Sequence, residues 1–237
     1  KDTRIAGPWF DDTYTTEIAS AKPTQSKCIR DSPHPWQQTI LDSLTQDASI
    51  RDICVLVDYR GGIGKSAFLA HTVAIRLGVI IPIKADISAI LQYVCQMPAS
   101  KLYILDIPRQ FYEASSKKEL AQLFSAIESL KNGIIFDTRY KGVQRVINSP
   151  HVWIFTNIMI SPEAFSKDRW KLYNIDESTK ALNRITLREA ITAEIQHQQR
   201  RKAANIVIER RRNDKRKIDE LVMEYEENGI PEEYLNL

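Results

Sequence analysis

Residues 52–77 read Asp52-Ile53-Cys54-Val55-Leu56-Val57-Asp58-Tyr59-Arg60-Gly61-Gly62-Ile63-Gly64-Lys65-Ser66-Ala67-Phe68-Leu69-Ala70-His71-Thr72-Val73-Ala74-Ile75-Arg76-Leu77, and the pattern of apolar residues changes twice within them. Ile53 to Val57 is an unbroken apolar run with a carboxylate at either end, the mark of a short strand covered on both faces, as in a parallel sheet. From Lys65 onward the residues read as a buried helix stopped by Gly78. Between the two lies a glycine-rich turn. Glycines let a backbone curl so that successive N–H groups face one point, and a helix N-terminus adds its positive dipole end. A strand, such a turn, and a helix opening on Lys-Ser together predict a phosphate-binding loop. Gly61, Gly62, Ile63, Gly64, Lys65, Ser66 and Ala67 are the candidate nucleotide-binding residues, with Lys65 on the β- and γ-phosphates of ATP and the Ser66 hydroxyl on Mg²⁺. The stretch departs from the usual spacing at Tyr59, where a glycine is expected.

The alternation continues downstream. Residues 79–83 are strand-like, 86–96 helix-like, and 102–106 form a second apolar strand ending in Asp106. Ser116 and Glu119 form a capping box for a helix over 117–131, closed by Asn132 and Gly133. Residues 151–157 make a further strand, ending in Thr156-Asn157. Strands alternating with helices predict an α/β domain with a mostly parallel sheet. In such a sheet ligands bind beyond the carboxyl ends of the strands, so Asp106 is the candidate to hold Mg²⁺ with Ser66, and Asn157 to sense the γ-phosphate or orient a water.

Upstream, Trp36, Ile40, Leu41 and Leu44 predict a short amphipathic helix over 36–46, whereas 10–35, with Pro23, Pro33 and Pro35, reads as a linker or arm. Beyond Leu187 the chain is polar and free of Gly and Pro until Gly229, a long helix or two. Forty-three per cent hydrophobic residues and 8 glycines exclude a wholly disordered, collagen-like or disulfide-scaffold chain. Cys28, Cys54 and Cys95 show no CxxC spacing and suggest a reducing compartment, the four histidines show no ligand spacing, and no run approaches the ~18–20 apolar residues of a membrane helix. The net charge of +3 is a sum of unlike parts: +4 over 1–185, +6 over 186–217 and −7 over 218–237.

With these motifs in order, the chain resembles the superfamily 3 helicase domain of the replication initiator (Rep) proteins of circular single-stranded DNA viruses and related plasmids. Lys1-Asp2-Thr3-Arg4-Ile5-Ala6-Gly7-Pro8-Trp9 resembles the end of that family's nicking endonuclease, and Pro35-Trp36-Gln37 its lead-in to the phosphate loop. Leu105-Asp106-Ile107-Pro108-Arg109 is similar to its Walker B motif, and Glu128-Ser129-Leu130-Lys131-Asn132-Gly133 with Arg139-Tyr140-Lys141 to its B′ motif. Residues 152–157 resemble motif C, and Phe165-Ser166-Lys167-Asp168-Arg169-Trp170 the arginine-finger segment.

The resemblance implies an AAA+-like P-loop NTPase fold, with 1–35 a linker from an upstream endonuclease, 36–48 a helical oligomerisation segment, 49–185 the ATPase domain and 186–237 a charged helical tail. It further implies an ATP-dependent DNA helicase that forms a homo-oligomer, expected as a hexameric ring on single-stranded DNA in the host nucleus, with no membrane partner. Arg169 would enter from a neighbouring subunit, and Lys131, Tyr140 and Lys141 would meet DNA. Ile107 occupies the place where many such motifs carry a second acid, which leaves the general base open: Asp106 alone, or an acid from elsewhere. The alternative is a nucleotide-gated DNA-binding or assembly module with little turnover. The clusters at 200–202 and 210–217 fit a bipartite nuclear-import signal, a phosphate-binding helix or a solvated face.

Overall fold

A computed structural model describes residues 32–83, 86–137 and 142–228. The linker expected over 10–35 therefore lies almost wholly outside the described residues, as do Tyr140 and Lys141. The chain divides into two units, 1–190 and 191–237.

In the first unit, helix α1 (Pro35–Ser43) leads to strand β1 (Ile53–Val57), helix α2 (Lys65–Ala74), β2 (Gly78–Ile81), α3 (Ile87–Gln96), β3 (Leu102–Ile107), a short α4 (Arg109–Ala114) and α5 (Lys117–Lys131). A hairpin of β4 (Ile134–Asp137) and β5 (Val143–Val146) follows, then β6 (His151–Thr156), a single 3₁₀ turn at Lys167–Arg169, β7 (Trp170–Ile175), β8 (Leu182–Ile185) and the start of α6 (Leu187–Asn228). Six strands form one sheet in the order β2-β3-β6-β1-β7-β8, parallel except for the antiparallel pair β7–β8. The β4–β5 hairpin is a separate antiparallel ribbon.

Both faces of the sheet are covered, which is why its strands read as continuous apolar runs rather than alternating ones. Ile53, Val55 and Val57 of β1 point into one core, with Tyr103, Leu105 and Ile107 of β3 and Val152 and Ile154 of β6, against α3 and α5. The alternate positions along these strands, Leu56, Leu102, Ile104, Trp153 and Phe155, point into the other, with Trp36 and Ile40 of α1 and Phe68 of α2. Helix α1 is thus part of the core of this unit: Trp36 is completely buried, its ring centroid 5.3 Å from that of Phe68 and 5.8 Å from that of Phe155.

Two expectations about boundaries are corrected. Helix α2 ends at Ala74, three residues before Leu77, because Arg76 adopts a left-handed conformation (φ 53°) and reverses the chain. Gly78 opens β2 instead of stopping the helix, and a side chain there would press on Leu102, 3.2 Å from a Cβ. The expected capping box of α5 is present, with Ser116 Oγ accepting from Glu119 N (3.2 Å) and a Glu119 carboxylate oxygen accepting from Ser116 N (2.7 Å).

In the second unit the chain is one continuous helix through Asn228, and between Ile191 and Met223 its described side chains are exposed or half-buried. Among the described residues no helix is long and apolar enough to cross a membrane.

Candidate nucleotide site

Strands β1 and β6 are neighbours whose onward connections run in opposite directions across the sheet, from β1 to β2 on one side and from β6 to β7 on the other. The carboxyl edge beside such a point is where open α/β sheets leave a crevice. A cleft of about 460 Å³ lies there, lined by Gly61 to Ala67 together with Asp106 and Asn157. These are the residues that the sequence marks for nucleotide, metal and γ-phosphate. The strand of Asp106 is not next to that of the loop: β6 runs between them, and its end places Asn157 between Lys65 and Asp106.

The lysine is the hub of the site. Lys65 Nζ donates to Asp58 Oδ2 at 2.8 Å and to Asn157 Oδ1 at 3.2 Å. The other oxygen of Asp58 accepts from the backbone N–H of Gly61 (3.0 Å) and of Arg60 (3.2 Å). Both members of the ion pair are buried, at 10% and 6% side-chain exposure. Burial raises the Asp106 carboxyl above the ordinary carboxylate range, with the nearby Lys65 charge working against it. Arg109, at the start of α4 just beyond β3, donates to the backbone oxygen of Asn157 at 2.9 Å and ties the ends of β3 and β6 together.

Helix α1 holds the loop from behind. Trp36 Nε1 donates to the Ile63 carbonyl at 3.1 Å, and Gln37 Nε2 to the Gly64 carbonyl at 3.1 Å, while Gln37 Oε1 accepts from His34 N at 2.8 Å. Gly64 has φ +88°, and a Cβ there would sit 3.2 Å from Gln37 Nε2, so both the conformation and the contact require glycine. Tyr59, the residue out of pattern, is accounted for: its hydroxyl donates to the Ala190 carbonyl at 3.0 Å and anchors the first turn of α6. Ile107 is completely buried in the α3–α5 core, so no acid follows Asp106 into the cleft.

Two expected site residues stand elsewhere. Ile53 pairs with Trp170, so Arg169 lies at the amino edge of the sheet, opposite Lys65 and one strand length away, roughly 15–20 Å. It is buried: its NH2 group donates to Asn132 Oδ1 at 3.1 Å, its Nε lies 3.4 Å from Glu128 Oε1, and its NH1 has no hydrogen-bond partner. Its neighbour Asp168 pairs instead with the exposed Arg51 at 2.5 Å, which pulls the Asp168 carboxyl down to about 2. Lys131, expected on DNA, is 1% exposed, and its Nζ donates to the Pro150 carbonyl at 2.6 Å. The reason is helical phase: Lys131 falls on the buried face of α5 with Phe124, Ile127 and Leu130.

Burial pushes the Lys131 ammonium down to about 8 from an ordinary 10.5, with Arg169 acting in the same direction and Cys54 and Asp52 against it. Between those values the unfolded chain holds a proton that the folded chain does not, so this group adds stability as pH rises through the window. Wild-type protein is expected to gain about 1 kcal/mol or more on Lys131→Met between pH 7 and pH 10, read from urea midpoints. A difference that stays constant with pH would contradict the assignment.

Sequence reasoning missed three residues of this site: Asp58, Trp36 and Gln37. The signal for Asp58 was present, an acid directly between an apolar strand and a glycine turn. Trp36 and Gln37 gave none beyond their resemblance to a lead-in segment, because their partners are backbone carbonyls 27 residues away. Among the described residues no group of three or more His, Cys, Asp or Glu is arranged to hold a metal ion.

Fold and site define an α/β protein with a mostly parallel sheet, compatible with a P-loop-like fold, carrying a glycine loop, a buried lysine and an acid at one sheet edge. Comparison with known proteins finds similarity to proteins named Para-Rep and master replication protein. The chain is 29% identical over 158 residues, 63% of its length, to the Para-Rep C7 of Faba bean necrotic yellows C7 alphasatellite, covering 53% of that protein. It is 29% identical over 137 residues to the master replication protein of Faba bean necrotic yellows virus, covering 57% of this chain and 43% of that protein. The master replication protein of Subterranean clover stunt virus is 27% identical over 137 residues, 57% of this chain and 43% of that protein. The chain spans about half the length of these curated relatives. No family model matches it.

Proposed function

We propose that this chain is the ATP-hydrolysing motor of a replication initiator, a helicase domain that moves on single-stranded DNA. The observation that carries the reading is the meeting of Lys65 with Asn157, beside Asp106, in a cleft walled by the Gly61–Ala67 turn. The donors suit a polyphosphate: the loop N–H groups of Arg60 and Gly61 and the Lys65 ammonium already hold a carboxylate, an anion. Lys65 would bind the β- and γ-phosphates of ATP. Ser66 and Asp106 would hold Mg²⁺, which needs few protein ligands when phosphate oxygens and waters supply the rest. Asn157 would orient the attacking water.

Arg169 cannot reach the cleft of its own chain, so its role in this reading is on the site of another copy, where an arginine is worth about 10³–10⁵ in rate. Tyr140 and Lys141 remain the proposed DNA contacts; buried Lys131 is not among them. A second reading, a nucleotide-gated DNA-binding module with little turnover, draws on the buried Ile107 in the place of a second acid.

The test is ATP turnover by the chain with and without single-stranded DNA. Stimulated hydrolysis supports the motor, and nucleotide binding with negligible turnover supports the second reading. Mixing Lys65→Ala with Arg169→Ala protein separates the two edges: partial recovery is expected, and none at any ratio removes Arg169 from the mechanism. Because Arg169 is buried, Arg169→Lys serves alongside it as the gentler variant.

A further inference from the structure

Among the described residues, Asp58 is an acid whose carboxylate faces the candidate phosphate loop with both oxygens. It is 7% exposed, and its oxygens accept from the N–H groups of Arg60 and Gly61 on one side and from Lys65 Nζ on the other. Backbone N–H groups of a glycine turn and a lysine ammonium are the donors with which such a loop grips a phosphate. We propose that Asp58 is an internal stand-in for phosphate, a latch that holds the loop and Lys65 in place without nucleotide and that an incoming polyphosphate must displace from Lys65. The inference rests on the proposed nucleotide site and adds a residue that regulates it.

The two oxygens have separable roles. The contacts of Oδ1 close a tight Asx-type turn at the start of the loop and do not need a negative charge. The contact of Oδ2 does need it, because it neutralises a buried ammonium. A polyphosphate approaching Lys65 meets a competitor at 2.8 Å, and after displacement a buried carboxylate of like charge remains close by. Asp58 therefore lowers affinity for the ligand whose place it takes, and more for a triphosphate than for a diphosphate.

Asp58→Asn keeps an acceptor for the two N–H groups and removes the charge. The full chain, wild type and variant, is titrated with MgATP, MgADP and inorganic tripolyphosphate by calorimetry. The expected result is that Asp58→Asn binds MgATP about tenfold more tightly than wild type, with a smaller gain for MgADP. Equal or weaker MgATP binding in the variant overturns the latch. Should the asparagine variant not fold, Asp58→Ser, which keeps a short hydroxyl acceptor, carries the same expectation. If wild type and variant both bind tripolyphosphate but neither binds either nucleotide, the proposed ATPase function fails while the latch is still decided by the tripolyphosphate affinities, which must be tighter in the variant.

Discussion

Replacing Lys65 with alanine is expected to reduce ATP hydrolysis by at least about a hundredfold and to lower thermal stability at the same time. In the proposed reaction the first effect is the loss of the ammonium that would neutralise charge on the transferring phosphoryl group. The second follows from the latch geometry: Asp58, at 6% side-chain exposure, would be left as a buried carboxylate without its counter-ion. Breaking such a pair from one side costs about 3–5 kcal/mol, far more than a surface lysine contributes. The two effects can be separated. In the double variant Asp58→Asn/Lys65→Ala the buried charge is gone, so the melting temperature should recover most of the loss while hydrolysis stays at background. A single Lys65→Ala protein as stable as wild type would show that the pair is not the buried interaction described here.

The second large effect is expected at Trp36, far from the loop in sequence. Trp36→Ala removes a completely buried ring packed between Phe68 and Phe155, and such truncations cost about 3–5 kcal/mol. Trp36→Phe keeps most of the volume but not the N–H that meets the Ile63 carbonyl. The phenylalanine variant should unfold within about 1–2 kcal/mol of wild type yet bind nucleotide more weakly, because a carbonyl at the base of the loop loses its tie. Equilibrium unfolding and nucleotide titration on the two variants check this; unchanged binding in Trp36→Phe would reduce the tryptophan to a packing residue.

Strands β1, β2, β3 and β6, their covered faces and the loop were legible because each leaves a local mark, whereas β7 and β8, with polar residues among the apolar ones, were not read. Five consecutive apolar residues from Ile53 to Val57, then glycines, then Lys-Ser, can be read without any long-range information, and the acids and amides ending later strands point to the same edge. Strand order left no such mark: nothing local says that β6 inserts between β1 and β3, or that Asn157 comes within reach of Lys65. Lys131 was misplaced for a related reason. Beside a turn and followed by polar residues it reads as a surface cation, and only its phase on α5 turns it inward toward the Pro150 carbonyl. Arg169 shows the limit from the other side. Its neighbour Asp168 offers the obvious partner in sequence, yet the guanidinium goes to Glu128 and Asn132 on α5 and at its cap, a pairing made by tertiary structure alone.

The bonds from Trp36 and Gln37 to the Ile63 and Gly64 carbonyls also define a path for mechanical load. Within the first turn of α1 two side chains are tied to two carbonyls of the glycine loop, so a displacement of the helix bears on the loop directly. The backbone N–H of Trp36 is itself fixed to the Lys180 carbonyl at 3.0 Å, which gives that path a fulcrum on the segment entering β8. A shift of the helix about that point thus acts on the loop as a lever.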